Sequence, residues 1–150
     1  MILIKNRQRK IAVDVAQLER DTQTLLDALG YSDFDIGILL TTNATIRKYN
    51  REYRDKDKAT DILSFPYHTE LPAGQSIKVE TEDDKNLGDL IISLEYVYND
   101  AQNYDVTFEK RMQELLVHGI CHLLGHDHIE DADYETMHKK EMQLLALIAK

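Results

Sequence analysis

Five of the six histidines fall between positions 118 and 138, in and around the run His118-Gly119-Ile120-Cys121-His122-Leu123-Leu124-Gly125-His126-Asp127-His128. His118 and His122 are four residues apart in a segment that reads as helix. Residues so spaced share one face, with Cβ atoms roughly 5–6 Å apart, so two imidazoles can aim one nitrogen each at a single ion. Gly125 permits a backbone conformation closed to other residues and turns the chain, which would bring His128 back toward the same point. The pattern H-x-x-x-H-x-x-G-x-x-H therefore offers three convergent nitrogen ligands, His118, His122 and His128. Three protein ligands and an open fourth position make the arrangement of a catalytic zinc site, whose bound water is a nucleophile near neutral pH. With six His and six Gly in 150 residues, the chance expectation of the four fixed positions is about 4 in 10,000, so the pattern is specific. Zn2+ is the expected ion, one per chain, although three imidazoles also suit nickel, copper or iron.

The neighbouring residues sort by position. His126 and His138 read as polar or surface residues, because three histidines and water complete a tetrahedral site. Cys121 points about 100° away from His122 on a helix and reads as a small core residue. Zinc proteases with this histidine spacing carry Glu directly after the first histidine, to take a proton from the bound water. Here that position is Gly119, which argues against a peptidase. Glu114 and Glu141 are the candidate substitutes. Glu114 lies one turn before His118 on the same face and reads equally as a solvated helix acid. Glu141 falls within the apolar stripe Tyr134, Met137, Leu144, Leu145 and Ile148. It either bonds the far N–H of a ligand histidine or reaches water at the edge of the stripe.

These side chains need a scaffold. Met1–Ile4, Phe34–Leu40, Thr60–Phe65 and Leu87–Ser93 read as strands, the third ended by Pro66. Asp14 to Leu29 reads as an amphipathic helix stopped by Gly30, and Asn43 is expected to cap a helix running to about Tyr53. Leu94–Asn103, Phe108–Leu124 (with Thr107 as N-cap) and Asp131–Ala149 complete the helices. Residues 67–86, with Pro72, Gly74 and the acidic run Glu80–Asp84, read as a long exposed loop. The expected fold is α+β: a single layered domain over residues 1–150, a small mixed sheet of about four strands packed with helices, and a metal cleft at a helix C-terminus.

Composition sets the outer bounds. At 43% hydrophobic and 30% charged residues, the chain can bury roughly 70% of its unfolded surface without staples. One cysteine excludes an internal disulfide. Apolar runs are too short to cross a bilayer, and the start MILIKNRQRK is the reverse of a secretory signal. No membrane association and a cytoplasmic location are expected. The net charge of −9 is uneven: +2 over residues 1–58 and −11 over residues 59–150. The acidic total disfavours polyanions, yet Arg47, Lys48, Arg51, Arg54, Lys56 and Lys58 form a basic segment, which also reads as an ordinary solvated face.

Three blocks give a resemblance. Tyr49 to Pro66 reads YNREYRDKDKATDILSFP, Leu87 to Ile92 reads LGDLII, and the histidine motif is followed by Met137 and Glu141. Taken in order, they resemble the YbeY family of rRNA maturation factors, predicted metal-dependent endoribonucleases, whose pattern is N-x-x-Y-R-x-K-D-x-x-T-D-V-L-S-F-P, then L-G-D-I-x-I, then the histidines. His126 stands where the family usually has Tyr, and Glu114 where it often has His. The resemblance implies an α+β fold with a zinc-like ion in a cleft. It also implies a single-strand-directed endoribonuclease acting in ribosomal RNA processing, notably at the 3′ end of the small-subunit RNA, and in ribosome quality control. Single-stranded RNA, rRNA and the ribosome or its proteins are the implied partners. Arg54 matches the family's functional arginine, and a cation beside the metal would hold a phosphate; the plainer alternative is a salt bridge to Asp55 or Asp57. His118 and Arg54 are thus the candidate catalytic residues. Two rival functions stand beside this one: a ribosome-assembly binding factor with a structural metal, and a metal hydrolase of another substrate.

Overall fold

The computed structural model describes residues 1–127 and 130–149, and of Asp131 the backbone alone. The elements run β1 (Ile2–Asn6), α1 (Val15–Leu29), β2 (Asp35–Thr41), α2 (Asn43–Arg54), β3 (Ile62–Pro66), β4 (Asn86–Ser93), α3 (Leu94–Asn103), α4 (Phe108–Leu123) and α5 (Asp131–Ile148). The four strands form one mixed sheet in the order β1-β2-β4-β3. β1 and β4 run parallel to β2, and β3 is an antiparallel edge strand on β4, with Ile62 opposite Ile92 and Ser64 opposite Leu90. This is the α+β architecture expected.

Strand periodicity divides the sheet into two unequal faces. Ile36, Ile38, Leu40, Leu90 and Ile92 point to one side and join Leu18, Leu25 and Leu26 of α1, Val97 of α3, Leu116 and Ile120 of α4, and Met137 and Leu144 of α5 in the main core. Leu39, Leu63, Phe65 and Ile91 point to the other side, where α2 alone packs through Ile46 and Tyr49. One face is thus fully roofed and the other only partly. Among the described residues, no helix is long and apolar enough to cross a membrane.

Local signals explain most boundaries. Asp14 caps α1 by accepting from the Gln17 N–H, and Gly30 ends it in the left-handed region. Thr107 caps α4 through the Lys110 N–H at 3.1 Å. The start of α2 corrects one expectation. Thr42, not Asn43, is the cap, because the Asn43 carboxamide oxygen accepts instead from the Ser93 hydroxyl at 2.8 Å. The Asn43 N–H donates to Glu95 at 2.9 Å, which fastens α2 to the start of α3. The 67–86 segment is largely irregular, with a short 3-10 turn at Glu82–Asp84, but it is not loose. Ile77 is buried, its N–H donates to the Tyr31 hydroxyl at 3.1 Å, and Leu71 packs on the main core.

Candidate active site

Helix α4 carries His118 and His122 on the face it turns toward β3. Their Nε2 atoms stand 3.0 Å apart. His118 Nδ1 lies 2.9 Å from Glu141 Oε2 on α5. A carboxylate only accepts, so the proton sits on Nδ1 and the His118 Nε2 lone pair faces the cleft. The half-buried Glu141, one of the two readings left open by its place in the apolar stripe, is therefore spent on a histidine rather than on water.

The donor set fits an ion. Two nitrogens each about 2.0–2.1 Å from one zinc in near-tetrahedral geometry stand roughly 3.3 Å apart, close to the separation found. A carboxylate behind a ligand imidazole, fixing its tautomer, is the usual backing of such a site. The third expected ligand, His128, lies outside the described residues. Among the described residues, no group of three His, Cys, Asp or Glu side chains could hold a metal.

The turn after α4 explains the glycine in the motif. Gly125 has φ +90°, and a Cβ there would run into the carbonyl of Leu71. The chain reverses there through the His126 N–H, which donates to the Cys121 carbonyl at 3.1 Å. His126 itself corrects an expectation: it is buried at 7% exposure, and burial pushes its pKa below the ordinary value. His138 is exposed as expected and stacks on Tyr134 with ring centroids 5.9 Å apart. Cys121 is fully buried, and burial followed by the charge of Glu141 pushes its thiol up to about 12. Gly119 faces the sheet, where a Cβ would stand 2.8 Å from Ile62 Cδ1 and 2.9 Å from Leu90 Cδ2. The position that carries the protease glutamate in other folds is here a packing contact.

The histidines open into a cleft of about 660 Å³ lined by Arg54, Thr60, Asp61, Ser64, Arg111, Glu114 and Glu141, with the apolar Ile62, Pro66 and Leu115. Arg54, the last residue of α2, is brought to the same cleft from a different layer. Its plainer alternative was a surface ion pair. Asp57, however, is taken by Arg47 at 2.8 Å and Arg51 at 3.7 Å, and Arg54 makes no ion pair among the described residues. Glu114 lines the cleft beside His118, as its spacing suggested.

Two lining residues escaped the sequence reading. Arg111 holds Asp100 at 3.1 Å and Asp61 at 3.4 Å, so its charge is already matched. Its spacing from Glu114, His118 and His122 put it on their helix face, and that signal was available. Asp61 accepts from the Ile62 N–H at 2.7 Å and fixes the entry to β3. A closely matched cation, Arg111, on the helix face of the histidines, and two hydroxyls, Thr60 and Ser64, thus share the cleft with the imidazoles. Chemically, the cleft can hold a cation at one wall and an anion at Arg54.

The family model and the curated relatives agree on one family. The model of the family described as Endoribonuclease YbeY matches residues 3–149. Among curated relatives, the human Endoribonuclease YbeY is 35% identical over 144 residues, covering 96% of this chain and 86% of the relative. The protein of that name from Carboxydothermus hydrogenoformans is 38% identical over 151 residues, covering 99% and 97%. Among solved structures, the solution structure of TM1509 from Thermotoga maritima aligns with TM-score 0.65 at 25% identity, covering 99% of this chain and 89% of that one.

Proposed function

The chain belongs to the Endoribonuclease YbeY family, and from that membership and the cleft we propose that it is a metal-dependent endoribonuclease cutting single-stranded RNA. Residues 1–150 act as one domain. The proposed task is ribosomal RNA processing, including 3′ end maturation of the small-subunit RNA, and ribosome quality control in the cytoplasm, with the ribosome or its proteins as partners. The observation that carries the reading is the meeting of Arg54, without an ion-pair partner among the described residues, with the His118–Glu141 and His122 wall in one cleft.

His118, His122 and His128 would hold a zinc ion. The chemistry such an ion supplies when bound is Lewis acidity toward water and toward a phosphoryl oxygen. The protein's own groups do the rest. Glu141 keeps the His118 proton on Nδ1 and the ring fixed in orientation. Arg54 presents a planar fork of donors to a phosphate and stabilises the charge that grows on its oxygens. Its place at the exposed end of a helix lets a flexible strand reach it. With Glu141 committed to His118, Glu114 is the carboxylate left to hold a proton in the cleft.

The test is cleavage of a single-stranded RNA by highly purified protein and by the Arg54→Glu and His118→Ala variants, prepared identically to control for contaminating ribonuclease. Loss of cleavage in both supports the assignment, and undiminished cleavage in either rejects it.

A further inference from the structure

The sheet face that α2 leaves half covered holds a second hollow, of about 440 Å³, lined by Leu3, Leu39 and Ile91 from the sheet and by Tyr49, Tyr53 and Phe65 at one end. Tyr49 and Tyr53 are one turn apart on α2 and stack at 6.0 Å with 15° between planes. Phe65 meets Tyr53 edge-on at 5.5 Å. Tyr53 is nevertheless 62% exposed. It is a large ring braced on two sides with much of its surface left to water.

We propose that this hollow is a nucleobase subsite, in which the base next to the cut phosphate stacks on Tyr53. The inference rests on the endoribonuclease reading and adds a binding residue to it. Continuity with the cleft is the first argument. Tyr53 and Arg54 are consecutive, one lining the hollow and the other the cleft. Along β3, Ser64 and Pro66 line the cleft while Phe65 lines the hollow, because alternate strand residues face opposite sides. β3 is the edge of the sheet, so a flexible strand can pass round it from one side to the other.

Charge is the second argument. Lys56 and Lys58 follow Arg54 on the exposed turn and, like it, make no ion pair among the described residues, so phosphates have cations to follow along the rim. Inside the hollow the charges offset. Lys5 and Asp89 both line it, and the Asp89 carboxylate lies where a Cβ of residue 37 would be. With one cation and one carboxylate, the lining offers no net charge to hold a phosphate and suits an uncharged ring. Stacking is the third argument. Every base has a π-face, and one base on one aromatic side chain is worth about 10- to 100-fold in affinity.

The chain contains no tryptophan, so a Tyr53→Trp variant carries a unique fluorescent reporter. Zinc-loaded protein is titrated with a short single-stranded RNA and with an abasic strand of equal length and charge. The expected result is quenching by the RNA and none by the abasic strand. Tyr53→Ala should weaken RNA binding by 10-fold or more and raise KM more than it lowers kcat. It should leave binding of the abasic strand unchanged, and Tyr53→Phe should recover most of the loss. Equal quenching by both strands, or a Tyr53→Ala protein that binds RNA as the parent does, overturns the subsite. So does quenching by a protein partner alone, since the hollow then serves another occupant. If the parent cuts RNA and Tyr53→Ala is indistinguishable from it, the subsite fails and the nuclease reading stands. If base-selective quenching is seen with no cleavage by the parent, the reverse holds.

Discussion

At the scale of single residues, the site is defined by which charges are already matched. Asp57 occupies Arg47 and Arg51, and Asp61 with Asp100 occupies Arg111, so Arg54 is the cation the cleft can offer an anion. Replacing it with alanine should lower kcat by about 100-fold or more, the usual loss for one donor to a developing oxyanion, with no change in melting temperature because the side chain is exposed. Glu141 bonds His118, so on the proposed reading it serves the metal site rather than the substrate. Its alanine variant should weaken zinc binding by about 10- to 100-fold, measured by competition with a chromophoric chelator. Cys121 makes the opposite kind of prediction. Its thiol is held up to about 12 by burial, so it should resist a thiol reagent at pH 8 in the folded protein and react once unfolded. The unfolded chain releases that proton near its ordinary value of about 8.5. The contribution to stability is therefore complete below that value and declines as pH rises from there toward 12. A rise in stability across this window would contradict the burial.

At the scale of elements, two helix ends are tied down by contacts from elsewhere, the C-terminus of α4 and the N-terminus of α2. Gly125 governs the first. An alanine there meets both a left-handed φ and the Leu71 carbonyl, and the variant should lose at least about 2 kcal/mol in denaturant unfolding and bind zinc more weakly. Glu95 governs the second. Its carboxylate is held below the usual range, first by the Asn43 N–H and then by Lys10. Its contribution is therefore present above the ordinary carboxylate pKa and is lost as pH falls through the depressed one. Glu95→Gln should cost about 1 kcal/mol at neutral pH and flatten the acid limb of the stability profile. The elements themselves were legible. α3 runs over the residues expected, and the far ends of α4 and α5 fall one residue earlier than expected; α4 has the Thr107 cap its sequence offers, while α5 begins without a side-chain cap. The cap of α2 was misread because the choice between Thr42 and Asn43 is made by Ser93, a residue fifty positions away. Nor could apolar periodicity reveal that Leu71 and Ile77 anchor the acidic segment, since an irregular backbone has no period to read.

At the scale of the whole molecule, an acidic protein must meet a polyanion. The net charge of −9 works against long-range attraction, and the few unmatched cations at the α2 turn and Lys5 act only at contact. With three or four phosphates neutralised, the logarithm of RNA affinity should fall against the logarithm of salt with a slope of roughly −2 to −3. A much steeper slope would mean a wider basic footprint than this surface has. What sequence could show of the site follows the same division. The pair His118 and His122 was readable because one helix sets their distance, whereas the approach of Arg54 depends on strand order, which places β3 at the edge beside β4. That Arg54 has a free charge depends on which neighbours Asp57 chooses, and no spacing rule decides it. The seat of Leu71 against Gly125 carries a last consequence. The acidic segment and the Gly125 turn after α4 brace each other, so a single protease nick near Pro72 should silence the nuclease from a distance while the rest of the scaffold stays folded.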